Sequence, residues 1–175
     1  MGVRDLVWTD FSGWVELYYS RYEEIERNPD LGVYLHASRP TESEEAVLFG
    51  QLMKAVLDHD LVAAVFETDG RMVGTCTVGR SGHHLEDRHV GQLGIAVHPD
   101  WRGKGVGHAL LEYVLERCRG TFEIVELKVV TINSTAIRLY QRHGFTECGR
   151  LPRSFKRGDR YLDELVMSRP IEPPR

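Results

Sequence analysis

The chain has 175 residues, 42% hydrophobic and 27% charged, with a net charge of −4. That length carries one sizeable core and is short for two, and the net negative charge excludes an overall basic field that would draw nucleic acid. The three cysteines, Cys76, Cys118 and Cys148, are odd in number and lack CxxC spacing, so they outline neither a disulfide framework nor a zinc site. The first residues, Met1-Gly2-Val3-Arg4-Asp5, lack the apolar stretch of a signal peptide. The longest nearly uninterrupted apolar run, Leu61 to Phe66, is far too short to cross a bilayer. A cytoplasmic protein without a membrane partner is expected.

In chain order, Val3 to Trp8 suits a first short strand. Trp14, Leu17, Tyr18, Tyr22 and Ile25 then recur at helical spacing, predicting an amphipathic helix that ends near Asn28-Pro29. Thr41 and Glu44 form a capping box for a second helix, which carries Val47, Leu48, Leu52, Val56 and Leu57 and ends near Asp58-His59-Asp60. The period then changes to that of strands. Leu61–Phe66 and Met72–Val78 flank Asp69-Gly70, a strong hairpin signal because the turn needs positive φ. Arg80 to Arg88 is polar and reads as a loop, and Leu93 to Val97 as the next strand.

A glycine-rich segment at 102–107 leads into a helix with Ala109, Leu110, Tyr113, Val114 and Cys118 on one side. Glu123 to Val130 reads as a strand. Ser134 to His143 is a short helix closed by Gly144, a residue suited to a left-handed cap. Thr146–Leu151 and Tyr161–Met167 are the last strands, turning through Arg157-Gly158-Asp159. The predicted order is β-α-α-β-β-β-α-β-α-β-β, one α/β domain over residues 1–175.

The chemistry concentrates where a strand ends at Val97-His98-Pro99 and Arg102-Gly103-Lys104-Gly105-Val106-Gly107 opens a helix. Such a turn leaves backbone N–H groups unpaired at a helix N-terminus, and the helix dipole adds to their attraction for a pyrophosphate. Glycine lets the phosphates approach the backbone, and Arg102 and Lys104 add positive charge. No Gly-Lys-Ser/Thr follows, which disfavours a P-loop enzyme. The third glycine of a dinucleotide fingerprint is missing, with His108 in its place.

Arg102-x-x-Gly105-x-Gly107 resembles the acetyl-CoA signature of the GNAT superfamily of N-acetyltransferases. Asn133-x-x-Ala136-x-x-Leu139-Tyr140-x-x-x-Gly144-Phe145 is similar to that family's second core motif, and Tyr161, Asp163 and Met167 fit its closing strand. The resemblance implies a mixed, mostly antiparallel sheet of six to seven strands flanked by about four helices. It also implies acetyl-CoA as cosubstrate, no metal, and an amine acceptor. By the same resemblance the strand at Ile95, Ala96 and Val97 splays from the strand after Glu123. Ile95 and Val97 then hold the pantetheine arm by their backbone, and the amides of Arg102, Gly103, Lys104, Gly105, Val106 and Gly107 hold the pyrophosphate. Asn133 contacts pantetheine and Tyr140 turns its hydroxyl toward sulfur.

Amide formation from a thioester needs a neutral amine, a stabilised oxyanion and a protonated leaving thiolate. Tyr140 suits the last role, a backbone N–H near Val97 the second. The base is not evident. Relatives often place a glutamate where this chain has Gln92 or Lys128; the nearby His83, His84, Glu86, Asp87 and His89, or a water chain opened by the strand, are equal alternatives. The basic cluster Arg150, Arg153, Lys156, Arg157 and Arg160 is expected to be an exposed hairpin kept soluble by charge, and the C-terminal strands are candidates for pairing in a homodimer. A CoA-binding module without catalysis is the alternative function; it binds acetyl-CoA without releasing thiol.

Overall fold

A computed structural model describes residues 2–35, 38–82 and 84–173. Its elements are β1 (Gly2–Asp5), α1 (Phe11–Arg27), α2 (Glu42–Leu57), β2 (Leu61–Thr68), β3 (Arg71–Arg80), β4 (Val90–Val97), α3 (Val106–Arg117), β5 (Ile124–Val130), α4 (Ser134–Arg142), β6 (Thr146–Arg157) and β7 (Arg160–Pro170). The strands form one seven-stranded sheet in the order β1-β2-β3-β4-β5-β7-β6. Every neighbouring pair is antiparallel except β4 and β5.

The sheet separates two cores. Ala64 and Phe66 of β2 pack with Leu110, Leu111 and Val114 of α3, Tyr140 of α4, and Val125, Leu127 and Val129 of β5. Ala63 and Val65, which alternate with them along β2, face the opposite way and join Phe49 and Met53 of α2. The approach of α3 to β3 is close: a Cβ on Gly74 would lie 2.9 Å from the side chains of both Val106 and Leu110.

Local signals explain most element boundaries. The Thr41 hydroxyl accepts from the Glu44 amide at 3.3 Å, while the Glu44 carboxylate accepts from the Thr41 amide at 2.7 Å, completing the capping box. Asp69 and Gly70 take φ of 51° and 72° in the β2–β3 turn.

Three expectations need correction. β1 stops at Asp5 rather than Trp8, because Trp8–Asp10 coils into a 3-10 turn. The Asp10 carboxylate holds that turn by accepting from the Val7 amide at 2.9 Å and pairing with Arg4 at 2.7 Å. On α2 the buried stripe is Glu45, Phe49 and Met53, whereas Val47, Leu48 and Leu57 are exposed. A charged residue at the head of the stripe hid its true phase. Finally, β6 runs on to Arg157, with an irregularity between Leu151 and Phe155 in which Arg153 adopts φ of 54°.

The basic hairpin is used internally. Arg150 pairs with Asp163 at 2.9 Å, and Arg160 pairs with Asp30. Arg157 donates to the carbonyls of Pro29, Leu31 and Val33 in the α1–α2 segment, the last at 2.6 Å. Arg153 and Lys156 lie over the Tyr161 ring, 4.3 and 5.0 Å from its centroid. No helix of the described residues is long and apolar enough to cross a membrane.

Leu110 has no exposed surface. Leu110→Ala is expected to lower unfolding free energy by about 2–5 kcal/mol, read as an earlier urea midpoint. A loss within experimental error would contradict the packing of α3 on β3.

Candidate active site

β4 and β5 begin side by side and then part. Their parallel pairing covers only Val90–Gln92 against Ile124–Glu126, although β4 continues to Val97 and β5 to Val130. β3 keeps β4 to its end, with Gly74 opposite Val97, and β7 keeps β5, with Glu164 opposite Val130. The strands are thus drawn apart, and a slot opens in the sheet.

The ladder decides which backbone groups line that slot. The His98 amide donates to the Val73 carbonyl at 2.9 Å. By alternation Ala96, opposite Thr75, also turns its polar groups toward β3, whereas Ile95 and Val97 turn theirs into the slot. The Val97 carbonyl accepts from Arg102 Nε at 3.1 Å. Of the three residues expected on the cofactor, Ile95 and Val97 therefore turn backbone into the slot, while the ladder with β3 takes the polar groups of Ala96.

At the end of β4 a 3-10 turn at Pro99–Trp101 leads to the glycine segment. Gly103 and Gly105 have φ of 72° and 84°, and a Cβ on either would meet nothing within 4 Å. Left-handed backbone requires glycine at these two positions, and the space beside them is open, as closely approaching phosphates require. Gly107 serves packing instead, since a Cβ there would lie 3.1 Å from Leu139 of α4. The amides of Val106, Gly107 and His108 open α3 and have no carbonyl one turn back within the helix; its first helical bond runs from Ala109 to Gly105 at 3.0 Å.

Lys104 stands at this mouth, its ammonium 4.8 Å from the Trp101 ring centroid. Arg102 does not offer free charge. Its amide donates to the Pro99 carbonyl at 3.2 Å, and its guanidinium grips the Glu24 carboxylate of α1 with two nitrogens. It is a strut joining α1, the end of β4 and the turn. Asn133 is likewise engaged: its Oδ1 caps α4 by accepting from Ala136 at 3.2 Å, and its Nδ2 donates to the Gly32 carbonyl at 3.3 Å.

Tyr140 is buried, with its ring 5.9 Å from that of Phe145. Burial, with a smaller contribution from Cys76, raises its phenol above the ordinary value, so it keeps its proton at neutral pH. The phenol is within electrostatic reach of Cys76 in β3 and also of Tyr34 in the α1–α2 segment. Tyr34 covers the other side of the sheet, where its hydroxyl donates to Glu164. Burial also pushes the Cys118 thiol up to about 12 and the Cys76 thiol up as well, so neither supplies a ready nucleophile.

Gln92 and Lys128 are exposed and carry no carboxylate. His84, Glu86, Asp87 and His89 lie before β4 begins, while the slot opens at its far end. From His89 to Ala96 is roughly 23 Å of strand. His83 lies outside the described residues. The residue that sequence reasoning missed is Glu164, which is buried and accepts a hydrogen bond from the Tyr34 hydroxyl. Its signal was an acid pair, Asp163-Glu164, set among Leu162, Leu165 and Val166 on the last strand, which by alternation sends one of the two carboxylates to each face. Among the described residues no three His, Cys, Asp or Glu side chains are grouped to hold a metal ion.

Residues 2–145 match the Acetyltransferase (GNAT) family. The chain is 32% identical over 111 residues to the L-amino acid N-acetyltransferase AaaT of Escherichia coli K12, covering 62% of this chain and 66% of that protein. The matches span 66%, 60% and 48% of the length of the first three distinct curated relatives. Among solved structures, the ribosomal-protein-alanine N-acetyltransferase of Brucella melitensis superposes with a TM-score of 0.82 at 23% identity, over 97% of this chain and 99% of that one. The phosphinothricin acetyltransferase of Sinorhizobium meliloti, solved in complex with AcCoA, gives 0.81 at 24% identity over 97% and 87%. With the family model matching most of its length, this chain belongs to the GNAT family of acetyl-CoA-dependent N-acetyltransferases.

Proposed function

We propose that this chain transfers the acetyl group of acetyl-CoA to the primary amine of a small molecule, with an amino acid as the acceptor class. The slot between β4 and β5 carries the reading, because its open backbone groups lead along β4 to a glycine turn suited to an anion. The E. coli relative, named for L-amino acids, supports the acceptor class.

Acetyl-CoA supplies an acyl group already activated as a thioester. Ile95 and Val97 hold the pantetheine arm through their backbone, and the Val97 N–H polarises the thioester carbonyl. The amides from Gly103 to Gly107, with Lys104, receive the pyrophosphate. Arg102 keeps that turn in place, and Asn133 fixes the start of α4 beside the pantetheine. Tyr140 gives its proton to the sulfur as the C–S bond breaks.

Titration calorimetry with acetyl-CoA, ATP and NAD tests the cosubstrate, and thiol release with L-amino acids, polyamines, aminoglycosides and an alanine-terminated peptide tests the acceptor. Selective acetyl-CoA binding with turnover of amino acids is expected. Binding without turnover of any amine would favour a sensor, and absence of binding would overturn the reading. Gly105→Glu sets bulk and negative charge in the turn and is expected to abolish acetyl-CoA binding; wild-type affinity would contradict the assignment. Tyr140→Phe is expected to leave the acetyl-CoA Kd within twofold and to lower kcat by about 10²–10⁴. An unchanged kcat would remove Tyr140 from the chemistry.

A further inference from the structure

We infer that Glu164, held by Tyr34, takes the proton from the acceptor's ammonium; the inference rests on amine acetylation as the reaction. The acceptor's side of the sheet follows from packing. α3 and α4 close one face with fully buried side chains, including Leu110, Leu111 and Val114. Over β5 and β7 the α1–α2 segment lies on the opposite face, with Gly32 against Val130 and Tyr34 against Glu164. An acceptor can reach the slot from that face.

Glu164 is on the same face and at the same height. Leu127 and Val129 of β5 and Met167 of β7 are in the core beneath the sheet, so Val130 and its partner Glu164 point the other way. Extending the parallel register of Gln92 with Glu126 by four residues brings Val130 level with Ala96. Glu164 therefore stands beside the level where Ile95 and Val97 turn their backbone into the slot, one strand beyond β5. Adjacent strands are about 4.8 Å apart, a separation that a glutamate side chain and a bound amine together span.

The other acids nearby are committed elsewhere. Glu126, at the closed end of the slot, accepts from the Ser81 hydroxyl at 2.6 Å. Asp163 points to the opposite face and accepts from Arg150 Nε and the Arg153 amide, both at 2.9 Å. Glu45 belongs to α2, which packs over β2.

Around Glu164 the neighbours are Tyr34 from the α1–α2 segment, Val130 and, two residues along, Lys128 from β5, and Leu151 from β6. The Tyr34 ring packs edge-on to Phe155 at 5.6 Å, and its carbonyl accepts from Arg21. With Arg157 holding the preceding carbonyls, the hydroxyl that orients Glu164 is itself fixed at several points.

The proton count closes. The acceptor ammonium gives one proton to the Glu164 carboxylate, and its nitrogen lone pair forms the C–N bond at the thioester carbon. As the tetrahedral species collapses, the C–S bond breaks and Tyr140 protonates the sulfur. The nitrogen returns its remaining extra proton to the Tyr140 phenolate, and Glu164 releases its proton to solvent.

Glu164→Gln, Tyr34→Phe and wild type are compared by acetyl-CoA calorimetry and by kcat/KM for the best amine between pH 7 and 10. Wild type must bind acetyl-CoA and turn over; if it does neither, the acetyltransferase reading fails first. Given turnover, Glu164→Gln is expected to bind acetyl-CoA normally and to lose about 10²–10⁴ in kcat/KM at pH 7. That deficit should narrow at least tenfold by pH 10, as solvent takes over deprotonation of the amine. A loss below threefold, or one equal at every pH, overturns the role of Glu164. If Glu164→Gln loses the acetyl-CoA site, Tyr34→Phe decides, since it leaves every charge in place. A tenfold or larger fall in kcat/KM for the amine at unchanged acetyl-CoA Kd is expected, and an unchanged kcat/KM overturns the assignment.

Discussion

The structure depends on a sheet that stops pairing halfway along two of its central strands. Backbone N–H and C=O groups inside a fold normally find partners, because each one left unpaired costs about as much as a lost hydrogen bond. Here β4 and β5 pair over three residues and then diverge. The divergence is imposed from outside. Gly74 lets α3 press on β3, which keeps β4 to its last residue, and β7 keeps β5 in register throughout. One exposed carbonyl, that of Val97, is satisfied by Arg102. What is left is a line of directed polar groups that a pantetheine amide can complete, at the mouth of a helix that attracts phosphate.

That arrangement was legible where it was local. The turn from Arg102 to Gly107 and the helix from Asn133 to Gly144 each occupy a short stretch, so spacing and residue type convey their geometry directly. The order of elements along the chain followed from period and turn chemistry. What escaped was long-range. Tyr34 and Glu164 are 130 residues apart and meet only after β7 inserts between β5 and β6. No local pattern encodes such a contact. The phase of α2 escaped for another reason: Glu45 is buried, and a charged residue in an apolar stripe shifts the face that periodicity assigns.

The same distance effect reverses the meaning of the basic hairpin. Read along the chain, Arg150 to Arg160 is a dense positive stretch. Folded, Arg157 and Arg160 reach the segment between α1 and α2, and Arg150 pairs across to Asp163. The charges organise a segment with little regular structure of its own. Guanidinium suits that task, since its fixed fork of donors can hold several carbonyls at once. Asn133 adds a further tie through Gly32, linking the segment to the start of α4. The covering of that face is thereby coupled to the start of α4 and to the last two strands.

In the proposed mechanism, opposite protonation tasks fall on opposite sides of the opened sheet. Tyr140 comes from the helical core, where burial keeps its proton in place. Glu164 comes from the sheet itself and meets the face covered by the α1–α2 segment, where Tyr34 donates to its carboxylate. An acid and a base placed on one side would hydrogen-bond to each other and lose their separate roles. A thioester lying in the slot separates them. Replacement of the expected glutamates by Gln92 and Lys128 leaves β4 and β5 without a carboxylate facing the open part of the slot. The next strand, β7, supplies one at the same level, and the proposed mechanism gives it the proton-accepting task from one strand across.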